Sequence, residues 1–144
     1  MQNVVVIGAG KIGATAAGLL ASAGYRVTLT DRSPAILDCI EQQESIRCVQ
    51  LNIERSADLF ELLNGQSAVI NAAPFHLTSR IAEAARTAHT HYLDLTEDIA
   101  STRYVKKLGA DASTAFIPQC ALAPGFVSIE VCIEPLQSSR TPGA

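Results

Sequence analysis

The residues with the clearest capacity for chemistry stand near the start of the chain. Gly8-Ala9-Gly10-Lys11-Ile12-Gly13 directly follows the apolar run Val4-Val5-Val6-Ile7. Glycines at this spacing, between an apolar run and a helical pattern, suit a turn that meets an anion. Gly8 permits the tight turn, Gly10 lets the backbone approach a pyrophosphate, and Gly13 lets the following helix pack close to its strand. The helix start at Lys11 and Ile12 adds unpaired N–H groups and about half a positive charge. Asp31 ends the next apolar run, where a carboxylate can accept hydrogen bonds from ribose hydroxyls and would repel a 2′-phosphate. These features favour NAD. Arg32 beside it could pair with that phosphate, which keeps NADP open.

Further candidates end the later apolar runs. Asn52-Ile53 falls where an adenine would rest, although Leu51 and Ile53 equally suit a core. Asn71-Ala72-Ala73-Pro74 offers small residues for close approach of backbone and cofactor, or an ordinary strand-to-helix turn. His76 could transfer a proton. Asp94, Glu97 and Asp98 bring carboxylates together that could bind an ammonium group or shift each other's pKa. Helix capping competes with that role, most strongly at Asp98. Cys120 is expected to line the crevice rather than attack, because a reactive thiol needs an electropositive setting. His89 and His91 would share one face of a strand, but no Asp, Glu or Cys cluster accompanies them, and no metal site is expected.

These residues need elements that bring them to one edge. Short β-branched runs alternate with helical patterns. Strands are expected at Val4–Ile7, Arg26–Thr30, Ile46–Ile53, Ser67–Ala72, His91–Leu95 and Ala115–Gln119. Helices are expected at Lys11–Ala23, stopped by Gly24, and at Pro34–Gln43, with Ser33 as its N-cap. Others are Ser56–Leu63 with Ser56 as cap, Leu77–Ala88, and Ile99–Leu108. Alternation of this kind predicts an α/β fold: a doubly wound parallel sheet of the Rossmann NAD(P)-binding type over residues 1–128. Its ligand would lie outside the carboxyl ends of the strands. Residues 129–144 read as a short terminal segment.

Composition excludes several classes. The chain has 144 residues, is 48% hydrophobic and 17% charged, and carries a net charge of −3. Disorder is not expected of such a sequence. Nor is a nucleic-acid surface, since Lys106-Lys107 is the densest basic spot. The N-terminus lacks a charged leader pattern, and no apolar run approaches the ~20 residues of a membrane span. Cys39, Cys48, Cys120 and Cys132 show no CxxC spacing, which suits free thiols and a cytoplasmic location.

Four segments together carry a resemblance. Val4 to Gly13, Asn71-Ala72-Ala73-Pro74-Phe75, His91-Tyr92-Leu93-Asp94-Leu95-Thr96 and Ala123-Pro124-Gly125-Phe126 resemble the N-terminal domain of saccharopine dehydrogenase-like proteins. That group includes saccharopine reductases, lysine 6-dehydrogenases and carboxynorspermidine dehydrogenases. The resemblance implies oxidation of an amino acid or secondary amine, or reduction of an imine, with hydride exchanged at C4 of the nicotinamide. It places Phe75, Thr96 and Pro124-Gly125 on the substrate side. The family's chain goes on into a substrate domain, which the stretch from Ile129 does not resemble. The expectation is cofactor binding with little turnover, and an apolar face that could form a homodimer. The alternative is a non-catalytic nucleotide-sensing module, which would share the glycine turn but lack the Asn-Ala-Ala-Pro-Phe and Ala-Pro-Gly-Phe segments.

Overall fold

The run Val4-Val5-Val6-Ile7 alternates its side chains between two cores. In the computed structural model, which describes residues 2–120, it forms β1 (Asn3–Ile7). Val5 and Ile7 face one apolar cluster and Val6 the other. A strand buried on both faces needs apolar residues throughout, which explains the unbroken run. The remaining strands are β2 (Arg26–Asp31), β3 (Ile46–Gln50), β4 (Ala68–Asn71), β5 (His91–Asp94) and β6 (Phe116–Ile117). They form one parallel sheet in the order β3-β2-β1-β4-β5-β6. The order reverses at β1, between β2 and β4.

Helices cover both faces. α1 (Lys11–Ser22) and α2 (Pro34–Asp38) supply Ala17 and Leu37 to the cluster around Val6, Val27 and Leu29. α3 (Ser56–Leu63), α4 (Thr78–Thr87) and α5 (Ile99–Gly109) close the other face with Leu59, Leu63, Ile81, Ala85 and Val105. A short 3₁₀ turn, Phe75–Leu77, leads into α4. Among the described residues, no helix is long and apolar enough to cross a membrane.

Some boundaries differ from the sequence expectation. α2 ends at Asp38, not Gln43, because Cys39 and Ile40 donate to Ile36 and Leu37 in tight i−3 bonds. Glu41 to Glu44 are exposed and bring no apolar side chain to hold a further turn. β3 stops at Gln50, since Asn52 turns the chain by accepting from the Glu54 amide. Ser33 makes no side-chain cap. Its amide instead donates to Asp31 Oδ1. Arg55, not Ser56, is the N-cap of α3.

Candidate functional site

The glycine turn is pressed against β4. Gly8 has φ +101, and a Cβ there would stand 2.7 Å from the Ala72 carbonyl oxygen. A Cβ on Gly13 would stand 1.8 Å from the Gly8 oxygen. The fold itself therefore demands both residues. Gly10 is different. Its φ is −64, and a Cβ on it would meet no atom within 4 Å. No protein neighbour explains a glycine at that position. It is also the N-cap of α1, which has no capping side chain and no acid in its first turn. The first-turn N–H groups thus lack side-chain partners beside an open backbone surface. Such a cradle fits a pyrophosphate, with the helix end supplying partial positive charge.

Asp31 stands next to this cradle. Its Oδ2 accepts from the Ala9 amide and its Oδ1 from the Ser33 amide, each at 2.9 Å. Two backbone donors fix the carboxylate, while each oxygen keeps further acceptor capacity for a hydroxyl. Arg32 is exposed, and its carbonyl accepts from Gln50 Nε2. A depression of about 260 Å³ gathers Gly8, Asp31, Arg32, Asn52, Ile53, Ala73 and Pro74. His76, read from the sequence as able to transfer a proton, also lines it, as do Ile36 and Glu54, neither of which was expected there. Their signal was weak, because exposed residues beyond strand ends follow no periodicity.

A second depression, of about 250 Å³, lies on the other side of Ala73. It gathers Ile12, Ala72, Phe75 and Thr96 with Asn71 and Leu95. Ile12 is 67% and Phe75 59% exposed, so two large apolar side chains face this opening. Ala73 lines both depressions and Ala72 the second. Lys11 is exposed at the start of α1 but lines neither hollow. Cys120 also lines neither, and its amide donates to the Asp94 carbonyl at 2.7 Å. Burial, then the nearby Asp94 carboxylate, push the Cys120 thiol up, which keeps it protonated near neutral pH. Pro124 and Gly125 lie outside the described residues, as do the rest of the Ala-Pro-Gly-Phe segment and residues 129–144. A larger hollow, of about 670 Å³, lies by α2 and β3 among Leu37, Glu41, Glu44 and Cys48. It holds none of the expected site residues.

The carboxylates beyond β5 do not form the ammonium-binding group considered from the sequence. Asp94 is fully buried, and Tyr92, Thr96 and Gln119 donate to it. Asp98 caps α5 by accepting from the Ser101 amide at 2.7 Å, and that bond holds its carboxyl below the usual range. Glu97 is exposed and, among the described residues, makes no side-chain hydrogen bond or ion pair. His89 and His91 also part company. His89 sits in a turn with φ 53, its Nδ1 3.1 Å from Ser113 Oγ, while His91 on β5 accepts from the Ala115 amide. Among the described residues no group of three potential metal ligands occurs.

A doubly wound parallel sheet with a glycine turn at the point where strand order reverses defines a Rossmann-type dinucleotide-binding domain. Comparison with known proteins agrees. The profile described as the saccharopine dehydrogenase NADP binding domain matches residues 4–117, and the chain belongs to that family. Its domain is accordingly one that binds a nicotinamide dinucleotide. No curated protein sequence matches significantly. Among solved structures, it is similar to the apo saccharopine dehydrogenase (L-Glu forming) of Saccharomyces cerevisiae, with a TM-score of 0.80 and 17% identity. That match covers 93% of this chain and 31% of the yeast chain. Pen from Bacillus thuringiensis gives a TM-score of 0.70 at 15% identity, covering 81% of this chain and 49% of Pen. The Bordetella bronchiseptica enzyme WbmH, solved in complex with NAD+, gives 0.55 at 20% identity, covering 65% of this chain and 38% of WbmH. The chain thus spans under half the length of each.

Proposed function

We propose that this chain holds the cofactor of an oxidoreductase that moves hydride between a nicotinamide and the nitrogen-bearing carbon of an amino acid or secondary amine, with NAD preferred over NADP. The observation that carries the cofactor reading is Gly10. It is a glycine without steric cause in its own fold, at an uncapped helix end, between Asp31 and β4. A dinucleotide laid across the switch point would put its adenosine in the hollow of Asp31, Asn52, Ile53 and Pro74. Its pyrophosphate would lie on Gly10, Lys11 and Ile12. Its nicotinamide would reach the hollow of Ile12, Ala72, Phe75 and Thr96.

The bound cofactor would accept or return hydride at C4. In the oxidative direction the substrate C–H bond breaks, its electron pair leaves as hydride, and loss of a proton from nitrogen leaves an imine. The residues of this chain bind and orient. Asp31 accepts ribose hydroxyls and repels a 2′-phosphate, which supports NAD. Arg32, which also lines the hollow, is the cation that favours the opposite choice. Phe75 and Thr96 form one wall on the substrate side. Hydride transfer needs reacting atoms held about 3–3.5 Å apart, and one wall does not fix a substrate that well.

A fluorescence titration with NADH and, separately, NADPH tests this reading. Saturable NADH binding with weaker NADPH binding supports it. Tighter NADPH binding transfers the weight from Asp31 to Arg32. Failure of the folded chain to bind either one rejects the site.

A further inference from the structure

The substrate-side hollow stands on a buried chain of hydrogen bonds with a defined direction. Asn71 and Asp94 face each other across β4 and β5 in the parallel register, and Tyr92 lies two residues before Asp94. All three are almost fully buried. Asn71 Oδ1 accepts from the Ala73 amide at 3.0 Å, which commits its Nδ2 to the other side. That Nδ2 donates to the Tyr92 hydroxyl at 3.1 Å and to Thr78 Oγ1 at 3.4 Å. The Tyr92 hydroxyl donates onward to Asp94 Oδ2 at 2.9 Å. Asp94 Oδ1 then accepts from the amides of Thr96 and Gln119, at 3.1 and 3.0 Å. Gln119 is held at φ 60, a conformation costly for a residue with a Cβ, so this bond has strain to hold. Burial, aided by the Asp94 carboxylate, pushes the Tyr92 hydroxyl far above the usual tyrosine range, so it remains the donor at any ordinary pH. The segments after β4, β5 and β6 are thereby tied to one another below the hollow.

We propose that Asn71, Tyr92 and Asp94 are positioning residues for the nicotinamide and substrate wall, acting through the backbone of Ala73, Thr96 and Gln119. The inference rests on the cofactor reading above and deepens it. The adenosine hollow receives only Ala73 from this chain, so the two ends of a dinucleotide should respond differently when it breaks. The direction of the bonds supplies a strict test. Asp94→Asn presents two N–H donors to the Tyr92 oxygen and removes the carboxylate that accepts its O–H, leaving it only the Thr78 hydroxyl, which already accepts from Asn71 Nδ2. Asn71→Asp presents two carboxylates to one phenol. The double variant N71D/D94N runs the chain backwards: the carboxylate at 71 accepts from the Tyr92 hydroxyl, one N–H at 94 donates to its oxygen, and both Oδ1 atoms still hold their amides.

The experiment compares NADH, whose fluorescence reports the nicotinamide's surroundings, with ADP-ribose, which lacks that ring, on the wild-type chain and its variants. Expected is a loss of about tenfold in NADH affinity for D94N, with ADP-ribose changed less than about threefold, because a buried unmatched donor costs far more than a mere lost contact. N71D/D94N should restore both the affinity and the NADH emission. Tyr92→Phe, which removes one hydroxyl and keeps the ring stacked on Phe116, should show the same split more weakly if D94N fails to fold. Equal losses for both ligands, or a double variant no better than D94N, would overturn the inference. A wild-type chain that binds neither ligand would reject the cofactor reading and this inference with it.

Discussion

Replacing Gly10 by alanine separates a residue kept for the fold from one kept for a ligand. The added Cβ would have no protein atom within 4 Å, and φ −64 is open to any residue. Loss of glycine's freedom in the unfolded chain stabilises by about 0.4–1 kcal/mol. Alanine is a poorer N-cap than glycine by a comparable amount. The two effects nearly cancel, so the melting temperature should stay within about 4 °C of wild type. Binding should suffer much more. The Cβ would occupy the space through which phosphate oxygens reach the first amides of α1. One lost hydrogen bond to a charged oxygen is worth about 1.5–3 kcal/mol, or about 10- to 150-fold in affinity. Thermal unfolding and an NADH titration on the same sample read both quantities. A G10A chain that melts normally and binds NADH as wild type does would refute the assignment of this turn to the pyrophosphate.

Other expectations follow from the same geometry. Gly13→Ala should lose at least about 2 kcal/mol of stability by chemical denaturation, because its Cβ meets the Gly8 backbone oxygen at 1.8 Å and that backbone cannot step aside. Asp31→Asn should shift the ratio of NADPH to NADH affinity upward by at least about tenfold, since it removes a charge facing the 2′ position. Unchanged selectivity in paired titrations would remove Asp31 from that role. Asp98→Ala should lower the melting temperature near neutral pH through loss of the α5 cap. The Asp98 carboxyl titrates below its usual range in the folded chain. Its stabilisation is therefore present above the ordinary carboxylate pKa and fades as pH falls through the lower folded value. A gap between wild type and D98A that persisted in strong acid would contradict this.

The sequence was most readable where one local cause decides the structure. β1 is legible because a strand buried on both faces must be apolar throughout, and Gly8 and Gly13 because no side chain fits there. The sheet class followed from alternation alone. Readability failed where tertiary partners decide. Nothing in Ser33 itself says that Asp31 will take its amide and leave its hydroxyl without a capping bond. The length of α2 depends on whether Glu41 to Glu44 find anything to pack against, and they do not. From the sequence Asp94 joined Glu97 and Asp98 as carboxylates that could bind an ammonium group. Its burial became visible only when β4 aligned Asn71 opposite it and Tyr92 stood between them. One trace was present in the sequence: Asn71 and Asp94 end strands whose preceding residues are mostly apolar, and buried polar groups need partners.

A dinucleotide lying across the switch point with its pyrophosphate on Gly10 must disturb the amides of that turn. Amide chemical-shift mapping of the isotope-labelled chain during NADH addition tests it most directly. Shifts should concentrate at Gly10 to Gly13, Asp31, Asn52 and Ala72 to Ala73, with weaker ones at Phe75 and Thr96. Shifts concentrated instead around Leu37, Glu41 and Cys48, or none at all in a folded chain, would contradict it.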